Sequence, residues 1–152
     1  MERHQSLLLV STPIASHILS VPSRSPSATL SAAVVDITGF DSDLPTISAA
    51  NFVERTRPNE AKPSIYDASS PYFIQVTPAA VNLFNLSSHS LQNEWKPEGA
   101  RNMIVAADIS PSQVCIGLST GEIVLLGILN GNLLPMKYVG IPHLLAFIDI
   151  FP

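Results

Sequence analysis

Four histidines, one cysteine and three Asp-Ile pairs are the side chains from which this sequence could build a reactive or metal-binding centre. His4, His17, His89 and His143 stand singly, none with a second ligand at the spacing that zinc requires. Cys115 is the sole cysteine, which excludes an intrachain disulfide and a cysteine-based metal cluster. Its place inside an apolar run makes it a small buried hydrophobe by expectation. Asp36, Asp108 and Asp149 each precede an isoleucine near the end of an apolar run, where a carboxylate could act as an acid or base. Two of the three recur at the period of an internal repeat, so the expected role is structural: accepting backbone N–H groups in the turn that follows. Serines are plentiful, but no G-x-S-x-G nucleophile elbow is expected. No Gly-rich phosphate loop leads into a helix, because no helix is predicted. No catalytic, cofactor-binding or metal-binding residue is assigned, and no cofactor or small-molecule substrate is expected.

Composition narrows the class further. The chain has 152 residues, 46% of them hydrophobic, enough for a core, and only 13% charged. Thirteen prolines against seven glycines point to short segments rather than long helices. The net charge is −4, and Arg55, Arg57, Lys62, Lys96 and Arg101 form no dense run, so the basic footprint of a phosphate-backbone binder is missing. At the N-terminus, Arg3 and His4 precede an apolar segment that Ser11, Thr12, Pro13, Ser16 and His17 interrupt, so a secretory signal is not expected. No run approaches the roughly 18 to 20 apolar residues of a membrane span. A cytosolic or nuclear protein is the default, and the acceptor pattern Asn85-Leu86-Ser87 then lacks the secreted context that glycosylation needs.

The elements that must position these residues read as strands. Short apolar runs bounded by Pro, Gly, Asn or Ser fall at 7–11, 16–21, 32–37, 46–52, 72–77, 80–86, 91–95, 102–109, 113–118, 122–129, 133–139 and 145–150. No segment carries a sustained helical period, so the predicted class is all-β. The runs 114–118 and 123–129 flank a turn at Ser119-Thr120-Gly121 and lack apolar/polar alternation, which predicts a hairpin covered on both faces.

An internal repeat organises the runs. "FIQVTPAAVNLFNL", from Phe73, matches "VCIGLSTGEIVLLGI", from Val114, and "MIVAADIS", from Met103, matches "LAFIDIF", from Leu145, both at an offset close to 41 residues. That is the length of one four-stranded propeller blade. "TISAANF", from Thr46, resembles "MIVAADI" but lies about 57 residues upstream. The charged, proline-bearing stretch 53–71 accounts for the excess and is predicted to be a disordered insertion between two strands of one blade, as a partner-docking or merely solvated loop. With strands lettered a to d from the propeller axis outward, the chain reads b, c, d; a, b, c, d; a, b, c, d; a. Trp95 then ends an outer strand and is expected to pack at the edge between blades. Two complete blades and two partial ones do not close a ring, so 1–152 is expected to be a fragment of a larger propeller with exposed, sticky faces, poorly folded alone or self-associating.

One ordered set of motifs is specific: Ile74-Gln75-Val76-Thr77, Val81-Asn82-Leu83, Glu94-Trp95-Lys96, Asn102 with Val105-Ala106, Ser112-Gln113-Val114, and Phe147-Ile148-Asp149-Ile150. It resembles the large propeller family of the damaged-DNA-binding protein large subunit, the cleavage and polyadenylation specificity factor large subunit and the third subunit of splicing factor 3b. The likeness is strongest to the first of these. It runs well through 72–152 and more loosely through 5–52, with the 53–71 insertion as the clearest departure, and Asn82 standing where the family has a basic residue.

The resemblance implies a fold and a function. Family members carry three seven-bladed propellers, and the matched stretch falls in the second, which in the damaged-DNA-binding member docks cullin-4 ubiquitin ligases in DNA repair. The expectation is therefore a non-enzymatic protein-interaction scaffold in a nuclear multi-subunit complex, with no membrane contact and nucleic acid reached mainly through the complex. The alternative is a nucleic-acid-binding subunit of the pre-mRNA cleavage/polyadenylation or splicing machinery.

Overall fold

A computed structural model describes residues 5–22, 33–53, 71–110 and 112–140. Among them the chain forms eleven strands and no helix. β1 (Gln5–Ser11), β2 (Ser16–Pro22) and β3 (Ala33–Val34) make a first sheet, paired in chain order. β4 (Ser48–Val53), β5 (Pro71–Val76), β6 (Val81–Asn85) and β7 (Ser90–Trp95) make a second, and β8 (Ile104–Ile109), β9 (Gln113–Leu118), β10 (Ile123–Leu129) and β11 (Asn132–Val139) a third. Every pairing within the sheets is antiparallel between consecutive strands. The result is the all-β class and the b, c, d; a, b, c, d; a, b, c, d order expected of a partial propeller; the run at 145–150 lies outside the described residues.

The middle strands of the second sheet, β5 and β6, are buried on both faces, which is why they do not alternate. From β5 and β6, Ile74, Val76, Val81 and Leu83 join Ile104, Val114, Ile116, Val124 and Leu126 of the third sheet in the larger core. Phe73 and Phe84 point the other way and pack with Ile18 and Ile37. The two phenyl rings lie 5.9 Å apart, and the Phe40 ring also sits 5.9 Å from that of Phe84. Each large side chain withdrawn this way contributes roughly 1.5–3 kcal/mol, so the seams between sheets, more than the strand ladders, hold the stack together.

The repeat is visible in three dimensions down to its irregularities. Phe73 and Val114, 41 residues apart, are equivalent, each facing the preceding sheet. The register between third and fourth strands slips at Leu83/Phe84 in the second sheet and at the matching Leu125/Leu126 in the third, leaving Gln92 and Met136 as the extra residues. A bulge in the same place in two blades re-aims the outer strand in the same way. A further register shift between Ile104 and Ala106 explains why "TISAANF" and "MIVAADI" align imperfectly.

Three expectations change. The run at 32–37 narrows to Ala33–Val34, because after Val35 donates to Ile18 the chain crosses to the second sheet, where Thr38 N–H meets His89 O at 3.0 Å and Leu91 N–H meets Thr38 O at 2.8 Å. Cys115 is exposed, not buried. It lies between Val114 and Ile116, which take the core side of β9, so the strand's alternation turns the thiol outward. The β9–β10 hairpin is accordingly covered on one face by the second sheet, and among the described residues nothing covers the other. The 53–71 insertion joins register partners, Val53 and Pro71, as the strand assignment requires; residues 54–70 lie outside the described residues.

Candidate functional site

The residues singled out for chemistry are not brought together. His17 and His89 are exposed on β2 and in the β6–β7 turn; His4, His143 and Asp149 lie outside the described residues. Asp36 is exposed in the loop after β3, and Asp108 is exposed on β8 with its Oδ1 accepting the N–H of Ile109 at 3.1 Å, inside the strand and not in the turn that follows it. Among the described residues no three His, Cys, Asp or Glu side chains are grouped as metal ligands would be. Asn85 serves its own turn: its Oδ1 accepts the N–H groups of Ser87 at 2.8 Å and Ser88 at 3.3 Å. Trp95 packs half-buried at the rim of the larger core, as a ring between blades.

One motif escaped the sequence reading. Gly117-Leu118-Ser119-Thr120-Gly121 has the G-x-S-x-G spacing of a serine nucleophile. Here it is the turn between two antiparallel strands, not a strand-to-helix elbow, and Gly121 takes φ +86° to close it. The Ser119 hydroxyl accepts the N–H of Met103 at 3.0 Å and lies 3.4 Å from Asn102 Oδ1, so it pins the start of β8 to the hairpin. That partner set gives it no general base.

The densest polar constellation lies at the seam of the first and second sheets. Ser16 Oγ is 2.7 Å from Thr46 Oγ1, 3.0 Å from Ser11 Oγ and donates to Leu44 O at 3.0 Å. Gln75, fully buried in β5, donates from Nε2 to Asp41 O and to Thr46 Oγ1, both at 3.0 Å. All its members are neutral and mutually bonded, so it clasps the loop before β4 onto two sheets and leaves no activated nucleophile. Two signals in the sequence point to it: a glutamine inside the apolar run "YFIQV", and the recurrence of Thr-Pro-x-Ala at Thr12 and Thr77, whose hydroxyls build matching turns at the strand ends beside it. Asn82, the register partner of Gln75, is buried with its Oδ1 unpartnered.

What the described surface offers instead is apolar area. Leu134 and Met136 are exposed on the outward side of the third sheet with Cys115, and Leu8, Val10 and Val34 on the outward side of the first. A cleft of about 310 Å³ opens beside β1, its lining about equally polar and apolar and including Leu7, Leu9, Ile18, Asn51, Phe73 and Leu86. Contiguous exposed apolar area of this kind marks interaction surfaces, ligand-binding grooves or aggregation-prone faces.

The blade repeat and these faces have a counterpart among known proteins: the family model of the RSE1/DDB1/CPSF1 second beta-propeller matches residues 2–150. The chain belongs to this family. It is also 27% identical over 118 residues to DNA damage-binding protein 1 of Oryza sativa subsp. japonica, a match covering 77% of this chain and 9% of that protein. The chain thus spans a small part of that relative's length.

Proposed function

We propose that this chain is a non-enzymatic docking module of a nuclear multi-subunit complex, presenting propeller blades to cullin-4-type ubiquitin ligases in the response to DNA damage. The observation that carries the reading is the match of the second-propeller family over residues 2–150, with the likeness to a DNA damage-binding protein supporting this branch of the family. The chemistry agrees with it. Polar side chains at the seams are consumed in holding sheets together, while apolar side chains are left outward on two of the three sheets.

Affinity capture of the tagged full chain from nuclear extract, followed by mass spectrometry, tests the reading. Cullin-4 and its partners are expected among the captured proteins. Recovery of pre-mRNA cleavage or splicing factors without cullin would replace this reading with RNA processing, the other work done in this family.

A further inference from the structure

We propose that Asn130 is a modification site: its side-chain amide is lost through attack by the Gly131 backbone nitrogen, and the seam between the second and third sheets sets the rate. This depends on how the β10–β11 turn is seated and on no docking partner.

Of eight asparagines only Asn130 precedes a glycine; each of the others is followed by a residue whose side chain shields the next backbone nitrogen. The turn itself demands the pair. Leu129 and Asn132 are register partners, so two residues close the hairpin, and both have positive φ, 50° at Asn130 and 68° at Gly131. Asn-Gly is the sequence that such a turn selects. It is also the sequence in which a side-chain amide carbon and the following nitrogen meet with least hindrance, because the second residue has no Cβ.

The chemistry needs only water. The Gly131 nitrogen bonds to Asn130 Cγ, and its proton goes to Nδ2, which leaves as ammonia and closes a five-membered imide. Water then cleaves one of the two carbonyl–nitrogen bonds of that ring. One cleavage leaves an aspartyl residue; the other leaves an isoaspartyl residue, with the main chain rerouted through Cβ and Cγ. Either product carries a carboxylate where a neutral amide stood.

The closed turn holds this step back. Gly131 is buried beside Gln92 and the Tyr72 hydroxyl of the second sheet, both so near that a Cβ would press on them. Asn132 Nδ2 donates to Asn130 O at 3.0 Å and so fixes the plane of the peptide whose nitrogen must turn to attack. Attack therefore follows a local opening of the turn, which costs less than unfolding the sheets. Reclosing is the harder direction. The isoaspartyl product adds a main-chain carbon where Gly131 has no room, two residues before Leu133, whose N–H is held by Asn93 at 3.0 Å. Each modification leaves the outer strand of the third sheet less firmly seated on the second, and the loss is one-way.

Peptide mass spectrometry on the full chain incubated at mildly alkaline pH, with enzymatic methylation of isoaspartyl carboxylates as a second readout, tests this. Amide-to-acid exchange should appear at Asn130 ahead of every other asparagine, and the modified fraction should melt at a lower temperature. Gln92→Ala and Asn132→Ala each remove one contact from the turn and should speed the exchange about tenfold, the change in opening that one lost hydrogen bond or contact allows. In unfolding urea these variants and the unmodified chain should share one faster rate, and Gly131→Ala should be slower there, where no fold remains to affect the comparison. An Asn130 that stays intact while other asparagines exchange, a rate that urea leaves unchanged, or a modified chain that melts with the unmodified one would overturn the proposal.

Discussion

The Asn93 side chain, on the outer strand of the second sheet, accepts the backbone N–H of Leu133 on the outer strand of the third at 3.0 Å, across 40 residues of sequence. Strand ladders fix order within a sheet; this bond fixes the outer strand of one sheet against that of the next. Asn93→Ala removes the acceptor from a part-buried donor, at a cost of about 1–3 kcal/mol. Urea titration should show the midpoint falling with little change in slope; an unmoved midpoint would mean that water replaces the side chain freely.

Gly131 closes the β10–β11 turn at φ +68°, and a Cβ there would press on Gln92 and on the Tyr72 hydroxyl of the neighbouring sheet. Gly99, at φ +91°, has open space around it. Gly131→Ala should therefore lose more stability than Gly99→Ala, which bears only the roughly 1–2 kcal/mol of a left-handed residue. Equal losses in thermal melts would show that the turn does not press on the second sheet.

Gln75 and Thr46 share a hydrogen bond inside the seam clasp, and their energies should not add. A double-mutant cycle with Gln75→Leu and Thr46→Val should give a coupling of about 0.5–3 kcal/mol. Additive losses would show that the cluster is a set of independent contacts.

Asn82 should respond to substitution by the charge it is asked to bury. Its Oδ1 has no partner, so Asn82→Leu should leave stability unchanged or raised, while Asn82→Asp buries a carboxylate and should be clearly destabilising. The Asn82→Asp deficit should shrink on acidification, since a buried carboxyl titrates above its unfolded value and the neutral form is the one the site tolerates. A pH-independent deficit would place that side chain in solvent.

The strands were legible because their runs are short, apolar and cleanly punctuated, and the blade order because Phe73 and Val114 begin matching hairpins. The exposure of Cys115 was not, since a run with no polar residues reads as covered on both sides whether or not a neighbour is present. The crossing of Thr38 to Ser90 was also hidden: it is a tertiary pairing between chain segments with no local pattern to announce it. The seam clasp was half visible, in a glutamine where an aliphatic residue was due. The serine pentapeptide shows the converse, a motif spacing that a hairpin satisfies as readily as an enzyme does.

The central claim, that these blades serve as a docking module for a cullin-4-type ligase, is tested most directly by calorimetric titration of the purified full chain with the purified cullin-4 N-terminal region. Saturable binding at a fixed stoichiometry is the expected result. A folded chain that releases no heat and shows no binding to cullin-4, yet binds a pre-mRNA cleavage or splicing factor, would contradict it.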